Sequence, residues 1–145
     1  ARDVGWGMPD PDWGGGPLDA RKARLVDVVE DTGAKTLKYL YDFGDGWEHT
    51  VKIERITEAV PGLTYPLLID ATGRCPPEDV GGPPGYAEFL DAIADPKHES
   101  HAEMVRWVGV PFDPAGIDFE EHAKAVDTLA KAWSRKPATR RNSAS

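Results

Sequence analysis

Two stretches in the first half of the chain alternate between mainly apolar and polar positions. The positions on the apolar face are Leu37, Tyr39, Tyr41 and Phe43 in the first stretch and Trp47, His49, Val51 and Ile53 in the second. Side chains two residues apart along a strand point to the same face, so this pattern predicts two half-buried β-strands. We place the strands at residues 36–43 and 47–56.

The Gly-Asp-Gly segment at residues 44–46 predicts that the two strands form a hairpin. A three-residue loop pairs Phe43 with Trp47, which opposes apolar residues along one face and turns His49 toward the core. The further pairs in this register are Tyr41 with His49, Tyr39 with Val51 and Leu37 with Ile53. On the outer face the register opposes like charges, which is unfavourable. Those pairs are Asp42 with Glu48 and Lys38 with Lys52.

The second half of the chain carries apolar residues at helical spacing. This spacing predicts helices at residues 85–94, 99–108 and 119–134. Asp118 precedes the last helix, with Glu121 three residues later, which is the pattern of a capping box. A short apolar run at residues 65–69 predicts a third strand. These elements predict an α+β fold, with a mostly antiparallel sheet built on the hairpin and covered by the C-terminal helices.

The composition is that of an ordinary globular protein. The chain has 145 residues, of which 40% are hydrophobic and 29% are charged, and this size suits one domain, which we place at residues 1–134. No apolar run approaches the roughly 20 residues of a membrane span, and residues 1–16 lack a signal-peptide pattern. We therefore expect a cytoplasmic protein with no membrane partner. A single cysteine, Cys75, fits a reducing compartment.

The net charge of −8 is unevenly distributed. Residues 1–130 contain 12 Lys and Arg against 25 Asp and Glu, a net charge of −13, whereas residues 131–145 carry five basic residues and no acid. An acidic body repels the phosphate backbone, so nucleic acid is not an expected partner of the folded part. We interpret residues 135–145 as a basic disordered tail, which is the one segment that could contact phosphates.

Several motifs together resemble one protein family. They are the nonapeptide at residues 41–49 (Tyr-Asp-Phe-Gly-Asp-Gly-Trp-Glu-His), Tyr65-Pro66, Cys75-Pro76-Pro77-Glu78-Asp79, Gly81-Gly82, Gly85-Tyr86, Asp95-Pro96 and Phe112-Asp113-Pro114. Over residues 36–120 they are similar to the plasmid pRiA4b ORF-3-like family, whose members also occur as insertion-element passenger proteins labelled TnpR. The resemblance implies an α+β fold and an association with plasmids and mobile elements. It implies no particular chemistry.

Two features depart from that family pattern. Members usually carry a second cysteine where this chain has Val80, which argues against a metal site built on two thiols. Members also usually begin with a strand, a helix and a further strand that this chain is expected to lack. A sheet without those strands has an unpaired edge, and such edges invite pairing with another chain, so a homo-oligomer formed through the edge is one expected assembly.

The candidate site is the hairpin tip together with the Pro-rich loop that follows it in the chain. Its residues are Tyr41, Asp42, Asp45, Trp47, Glu48, His49, Glu78 and Asp79. The acids and the tryptophan predict an acidic groove between tip and loop that binds a basic protein segment or a small cationic ligand. This interpretation makes the chain a binding protein rather than an enzyme, and it assigns no catalytic residue.

Two alternatives use other chemistry. Carboxylates with a histidine also suit a divalent metal ion, so Asp42, Asp45, His49 and Glu78 could form the centre of a metal-dependent hydrolase. A DNA-mobility accessory could instead act through the basic tail. Two further clusters favour a structural interpretation. Cys75 is followed by two prolines and two acids, a setting that disfavours a reactive thiolate, and the pair His98 and His101 fits an exposed helix start.

Overall fold

The computed structural model describes residues 5–7 and 18–134, and its contacts divide the chain into two compact units. The first unit comprises Ala1–Tyr41 and Glu48–Ile56, and the second comprises Asp42–Trp47 and Thr57–Ser145. The single domain predicted for residues 1–134 stays a prediction. The predicted basic tail at residues 135–145 lies outside the described residues.

The first unit begins with two very short strands. β1 (Trp6–Gly7) pairs in parallel with β2 (Leu18–Asp19), which leads into a single 3-10 turn at Ala20–Lys22. Asp19 caps this turn by accepting the Arg21 N–H, and hydrogen bonds from the Arg21 side chain hold the pKa of the Asp19 carboxyl below its usual value. Helix α1 (Leu25–Thr32) follows and ends at Gly33, which adopts the left-handed conformation with φ 64°.

The predicted hairpin is present, but its loop and register differ from the prediction. β3 (Thr36–Tyr41) and β4 (Trp47–Lys52) are joined by five residues, not three. The Ile53 N–H donates to the Lys35 carbonyl at 2.8 Å, so these two residues are opposite each other and every pair along the antiparallel ladder follows. Trp47 is therefore opposite Tyr41, two residues away from the predicted partner, Phe43.

Charge explains why this register replaces the predicted one. The shift by two residues keeps every side chain on its predicted face, so the apolar pattern is equally satisfied. It also brings Lys38 to Glu48, with Nζ 2.6 Å from Oε1, and to Thr50, with Nζ 2.9 Å from Oγ1. The two predicted like-charge pairs thus give way to one ion pair, a difference of about 1 kcal/mol in favour of the observed register.

The second unit contains three helices close to the predicted positions. They are α2 (Gly82–Ala94), α3 (His101–Val108) and α4 (Phe119–Ser134). Helix α2 starts earlier than predicted because Pro83 and Pro84 occupy its first turn, where a missing N–H costs nothing. The predicted strand at residues 65–69 is wrong, since that segment has no regular structure and Pro66 cannot donate to a ladder. The α+β class with C-terminal helices is confirmed.

Burial is concentrated in the second unit. Phe89, Ala92 and Ala130 are at most 1% exposed there, whereas Val29 is the one buried apolar residue described in the first unit. Most residues of β3 and β4 are exposed, and Tyr39 is 57% exposed, so the predicted half-buried strands are wrong in this respect. Alternation reports which side chains share a face, but not whether another layer covers that face. No helix among the described residues is long and apolar enough to cross a membrane.

The start of α4 yields a stability prediction. The Asp118 carboxylate accepts the Glu121 N–H at 2.9 Å, which confirms the predicted cap. We expect Asp118→Ala to lower the free energy of unfolding by about 1 kcal/mol, because a helix N–H loses its acceptor. Asp118→Asn keeps an acceptor oxygen and serves as the control. Urea denaturation followed by circular dichroism measures both, and equal losses in the two variants would contradict the capping role.

Candidate binding site at the hairpin tip

Asp42 shapes the turn at the hairpin tip. It adopts a left-handed backbone conformation with φ 53°, and its carbonyl accepts the Gly46 N–H at 2.6 Å. Its Oδ1 atom accepts two more backbone bonds, from Gly44 at 2.9 Å and from Asp45 at 3.3 Å. Three hydrogen bonds within five residues fix this turn, and the Asp42 carboxylate is therefore committed to the backbone.

Asp45 joins the tip to the start of α2. Its Oδ2 atom accepts the Gly81 N–H at 3.2 Å, and its backbone carbonyl lies against Gly82 so closely that a Cβ built there would overlap it. Gly82 is buried and has φ 68°, a region that side-chain-bearing residues rarely adopt. The Gly-Gly pair thus allows the tip to contact the helix start at backbone distance.

Trp47 extends the same contact into the core of the second unit. Its ring meets the Tyr86 ring edge to face, with the centroids 6.2 Å apart. Tyr86 stacks on the buried Phe89, and Phe112 packs edge-on against both of them, 5.1 Å from Phe89 between centroids. Trp107 also packs edge to face with Phe89, with the centroids 5.8 Å apart. Trp47 is therefore half-buried as part of an aromatic cluster, not a free binding surface.

The Pro-rich loop is attached to the same cluster through Arg74. Its guanidinium carbon lies 4.6 Å from the centroid of the Phe112 ring, within range of a cation–π interaction. Its side chain also donates to the Pro111 carbonyl at 3.2 Å, and its backbone N–H donates to the Pro114 carbonyl at 2.9 Å. These bonds join Arg74 to residues 111–114. They therefore fix the Pro-rich loop four residues before the predicted acids, Glu78 and Asp79.

Glu78 and Asp79 are the acids of the loop. Both are exposed, and they form the turn that ends at Gly81. Asp79 has φ 58°, a left-handed conformation that aspartate tolerates better than most residues. The Gly81 N–H donates to Asp45, and this bond joins the loop to the tip. Glu78 and Asp79 lie three and two residues before Gly81 in the chain. The structure thus associates Asp42, Asp45, Trp47, Glu78 and Asp79 within one compact unit.

The remaining predicted site residues belong to the other unit. Glu48 pairs with Lys38 on one face of the hairpin. On the opposite face His49 lies beside two tyrosines, with its ring centroid 5.7 Å from that of Tyr39 and 6.3 Å from that of Tyr41. His49 is exposed, so the prediction that it faces the core is wrong. No described residue packs on that face closely enough to bury the imidazole.

The predicted metal ligands do not form a centre. Among residues 5–7 and 18–134, no three His, Cys, Asp or Glu side chains are placed so that they could hold a metal ion together. The Asp42 and Asp45 carboxylates instead accept hydrogen bonds from backbone N–H groups. Each carboxylate retains an unbonded lone pair, but the coordination that a divalent ion prefers needs more converging oxygens than this.

His98 and His101 hold the backbone around the start of α3, but both are half-buried, so the predicted exposed helix start is wrong for them. Nδ1 of His101 lies 2.8 Å from the Ala92 carbonyl, which ties the start of α3 to α2. Nδ1 of His98 accepts the Ser100 N–H at 3.1 Å within the connecting turn. The two imidazoles therefore hold the backbone between the helices. Cys75 is an exposed free thiol.

One prominent residue of the tip escaped the sequence-based prediction. Phe43 was predicted to pair with Trp47 on the apolar face, but it is 82% exposed in the turn. The left-handed Asp42 ends β3 at Tyr41, two residues earlier than predicted, and turns the chain before Phe43. An Asp followed by Phe-Gly, with no β-branched neighbour, was the available signal that the strand could end there.

The geometry described above is enough to define the structural class of the protein. The chain is an α+β protein in which a hairpin tip is docked by Asp45 onto a Gly-Gly helix start, with an aromatic cluster behind it. A family profile described as plasmid pRiA4b ORF-3-like protein matches residues 3–121, and the chain belongs to that family. The match confirms the resemblance and extends further toward the N terminus than the predicted residues 36–120.

Two relatives extend this placement. The uncharacterized protein y4hQ of Sinorhizobium fredii is 60% identical over 136 residues, which is 93% of this chain and 70% of that protein. The crystal structure of a protein of unknown function, MM3350 from Methanosarcina mazei Go1, superposes with a TM-score of 0.65 at 36% identity. That alignment covers 76% of this chain and 59% of the solved chain, so this chain spans less than two-thirds of its structural relative.

The close approach of tip and helix yields a test with a built-in control. We expect Gly82→Ala to lower the free energy of unfolding by at least about 2 kcal/mol, because the new methyl overlaps the Asp45 carbonyl and φ is left-handed. Gly46→Ala has the same backbone cost, with φ 71°, but nothing lies within 4 Å of its Cβ. Urea denaturation should therefore show a clearly smaller loss for Gly46→Ala, and equal losses would contradict the contact.

The Asp45 carboxylate provides a second test of the same junction. Asp45→Ala removes the acceptor of the Gly81 N–H, and we expect a loss of about 1–2 kcal/mol in the free energy of unfolding. Asp45→Asn keeps an oxygen at the same distance and should recover at least half of that loss. Urea denaturation of both variants decides the matter: if Asn and Ala are equally destabilising, the side-chain oxygen is not what holds the loop.

Proposed function

We propose that this protein is a non-enzymatic binding protein that recognises a basic protein segment through the acidic surface of the hairpin tip and the Pro-rich loop. The observation that carries the proposal is the exposure of Phe43, which is 82% exposed on a turn fixed by three hydrogen bonds. A large aromatic side chain held outward by a rigid turn loses little conformational freedom on binding. Such residues are typical anchors of protein interfaces.

The charge around this anchor favours a cationic partner. Asp42 precedes Phe43 directly, and the exposed Glu78 and Asp79 belong to the loop that Asp45 bonds to the tip. Residues 1–130 carry a net charge of −13, so the wider field has the same sign. Opposite charge on the partner accelerates encounter and sets its orientation, whereas the apolar anchor supplies most of the affinity. A small cationic ligand would satisfy the same acids but would leave Phe43 unused.

Trp47 supports the proposal in a different way from the one expected. It does not line an open groove but fixes the base of the tip against Tyr86. The acidic, Trp-containing groove is therefore proposed as an acidic surface with Trp47 beneath it and Phe43 projecting from it. Rigid support of this kind reduces the ordering cost of binding.

The other predicted functions receive less support. A metal-dependent hydrolase requires ligands that converge, and the described acids and histidines do not. A DNA-mobility accessory would act through residues 135–145, which lie outside the described residues. The association with plasmids and mobile elements is proposed from the family resemblance, and the cytoplasmic location remains part of the same proposal.

A binding titration with defined probes tests the proposal. Fluorescent peptides rich in Lys and Arg with one central aromatic residue are compared with peptides of equal length in which the basic residues are Gln. We expect the basic peptides to bind more tightly, with affinity falling as salt rises because the ion pairs are screened. In the Phe43→Ser variant the affinity should fall about tenfold, the loss expected for a truncated aromatic anchor.

Ile69→Ser is the matched control. Ile69 is 83% exposed in the same unit, so its replacement truncates an apolar side chain of similar exposed fraction outside the tip. Thermal denaturation should show both variants folded, because neither side chain contributes to the core. Equal affinity of basic and neutral peptides, or equal loss in Phe43→Ser and Ile69→Ser, would refute recognition by the tip.

A further inference from the structure

The side chain of Arg74 shows how this chain holds a guanidinium group. Its guanidinium carbon lies 4.6 Å from the centroid of the Phe112 ring, and its Nη1 atom donates to the Pro111 carbonyl at 3.2 Å. The face of the ring attracts the cation, while the carbonyl accepts a hydrogen bond from its edge. Two groups on consecutive residues therefore make the site, an acceptor followed by an aromatic ring.

The hairpin tip contains the same two kinds of group in the same order. Phe43 is 82% exposed and directly follows Asp42, whose carboxylate is an acceptor. Within the part of the chain that the structure describes, no cation lies over the Phe43 ring. The tip thus offers an acceptor and a ring to a guanidinium group that a partner would have to supply.

The two groups are placed by the turn itself. The Gly46 N–H bonds to the Asp42 carbonyl, and the Asp42 carboxylate accepts the N–H groups of Gly44 and Asp45. Since Asp42 and Phe43 are adjacent and lie in a turn closed by its own hydrogen bonds, their proximity depends on no strand edge. The tip belongs to the same compact unit as Arg74 and Phe112.

The acceptor at the tip is stronger than the one that Arg74 uses. Hydrogen bonds from a guanidinium group to a carboxylate are roughly twice as strong as bonds between neutral groups. An ionised carboxylate has about four lone-pair sites on its two oxygens. The Asp42 carboxylate can therefore accept a further donor while it keeps both of its bonds within the turn.

We propose that the partner segment presents an arginine at the tip, with its guanidinium group stacked on the Phe43 ring and donating to the Asp42 carboxylate. The arginine assignment rests on the proposed function, because it names the residue through which the basic segment binds. Lysine fits these two groups less well. Its ammonium is a compact, strongly hydrated charge, whereas the guanidinium group is planar, weakly hydrated and able to stack and donate at once.

A comparison of head groups tests the assignment. Two peptides of equal length and charge, with arginine or lysine at every basic position, are titrated against the 145-residue chain. We expect the arginine peptide to bind about fivefold more tightly, the gain that a cation–π contact supplies at an exposed site. A peptide with citrulline at these positions, which has the shape of arginine without its charge, should bind no better than a Gln peptide.

Variants of Phe43 identify the ring as the source of the preference. Phe43→Leu keeps an apolar side chain but removes the ring face, so the ratio of the two affinities should fall to about one. Phe43→Tyr keeps the ring face and should retain the preference. Circular dichroism should show both variants folded, because the side chain is exposed. In nuclear magnetic resonance spectra, protons of the bound arginine side chain should shift upfield with Phe43 and not with Phe43→Leu.

The outcomes separate the arginine assignment from the proposed function. Equal affinity of the arginine and lysine peptides, with both bound more tightly than the Gln peptide, would overturn the assignment and leave the proposed function standing. An arginine preference that persists in Phe43→Leu would also overturn it. If neither basic peptide binds better than the Gln peptide, the proposed function fails and the arginine assignment fails with it.

Discussion

The contact between Asp45 and the Gly81–Gly82 pair is the constraint on which the second unit depends. It combines a side-chain hydrogen bond of 3.2 Å with a backbone approach that admits no Cβ at residue 82. From this junction α2 leads to Tyr86 and Phe89, and through them to the aromatic cluster that Trp47 and Phe112 complete. The hairpin tip is thus built into the core of the helical unit.

This constraint explains what the family motif is for. Asp42 turns the chain, Gly46 accommodates the turn with φ 71°, Asp45 bonds to the loop and Gly82 leaves room for its carbonyl. The acids and glycines that look like a catalytic cluster in the sequence are therefore largely committed to backbone geometry. The side chain that this geometry holds outward is Phe43, which is 82% exposed.

The sequence predicted elements better than it predicted their surroundings. Helical spacing located α4 from its first to its last residue, because its apolar repeat and the Asp118 cap are both local signals. Alternation located both hairpin strands but could not select the register, since a shift by two residues leaves every face unchanged. The observed register brings Lys38 to Glu48. These residues are on different strands, so the pattern within either strand does not reveal their contact.

The misplaced site residues have the same cause. His49 shares a face with Tyr39 and Tyr41 as predicted, but whether another layer covers that face depends on tertiary structure. Phe43 follows the apolar alternation and nevertheless leaves the strand, because Asp42 takes the left-handed conformation before it. Three of the four candidate metal ligands are close in sequence, yet the Asp42 carboxylate bonds within the turn and the Asp45 carboxylate bonds to Gly81. Proximity along the chain predicted a cluster, but the carboxylates accept backbone hydrogen bonds and do not converge on one point.

The central claim is that the tip is bonded to the start of α2, and amide hydrogen exchange at Gly81 tests it most directly. Gly81 is exposed, so its N–H should exchange rapidly unless the Asp45 carboxylate holds it. Exchange followed by nuclear magnetic resonance should show Gly81 protected to a degree similar to Gly46, whose N–H is bonded within the tip. An unprotected Gly81 amide beside a protected Gly46 would mean that the turn forms without docking, which contradicts the account.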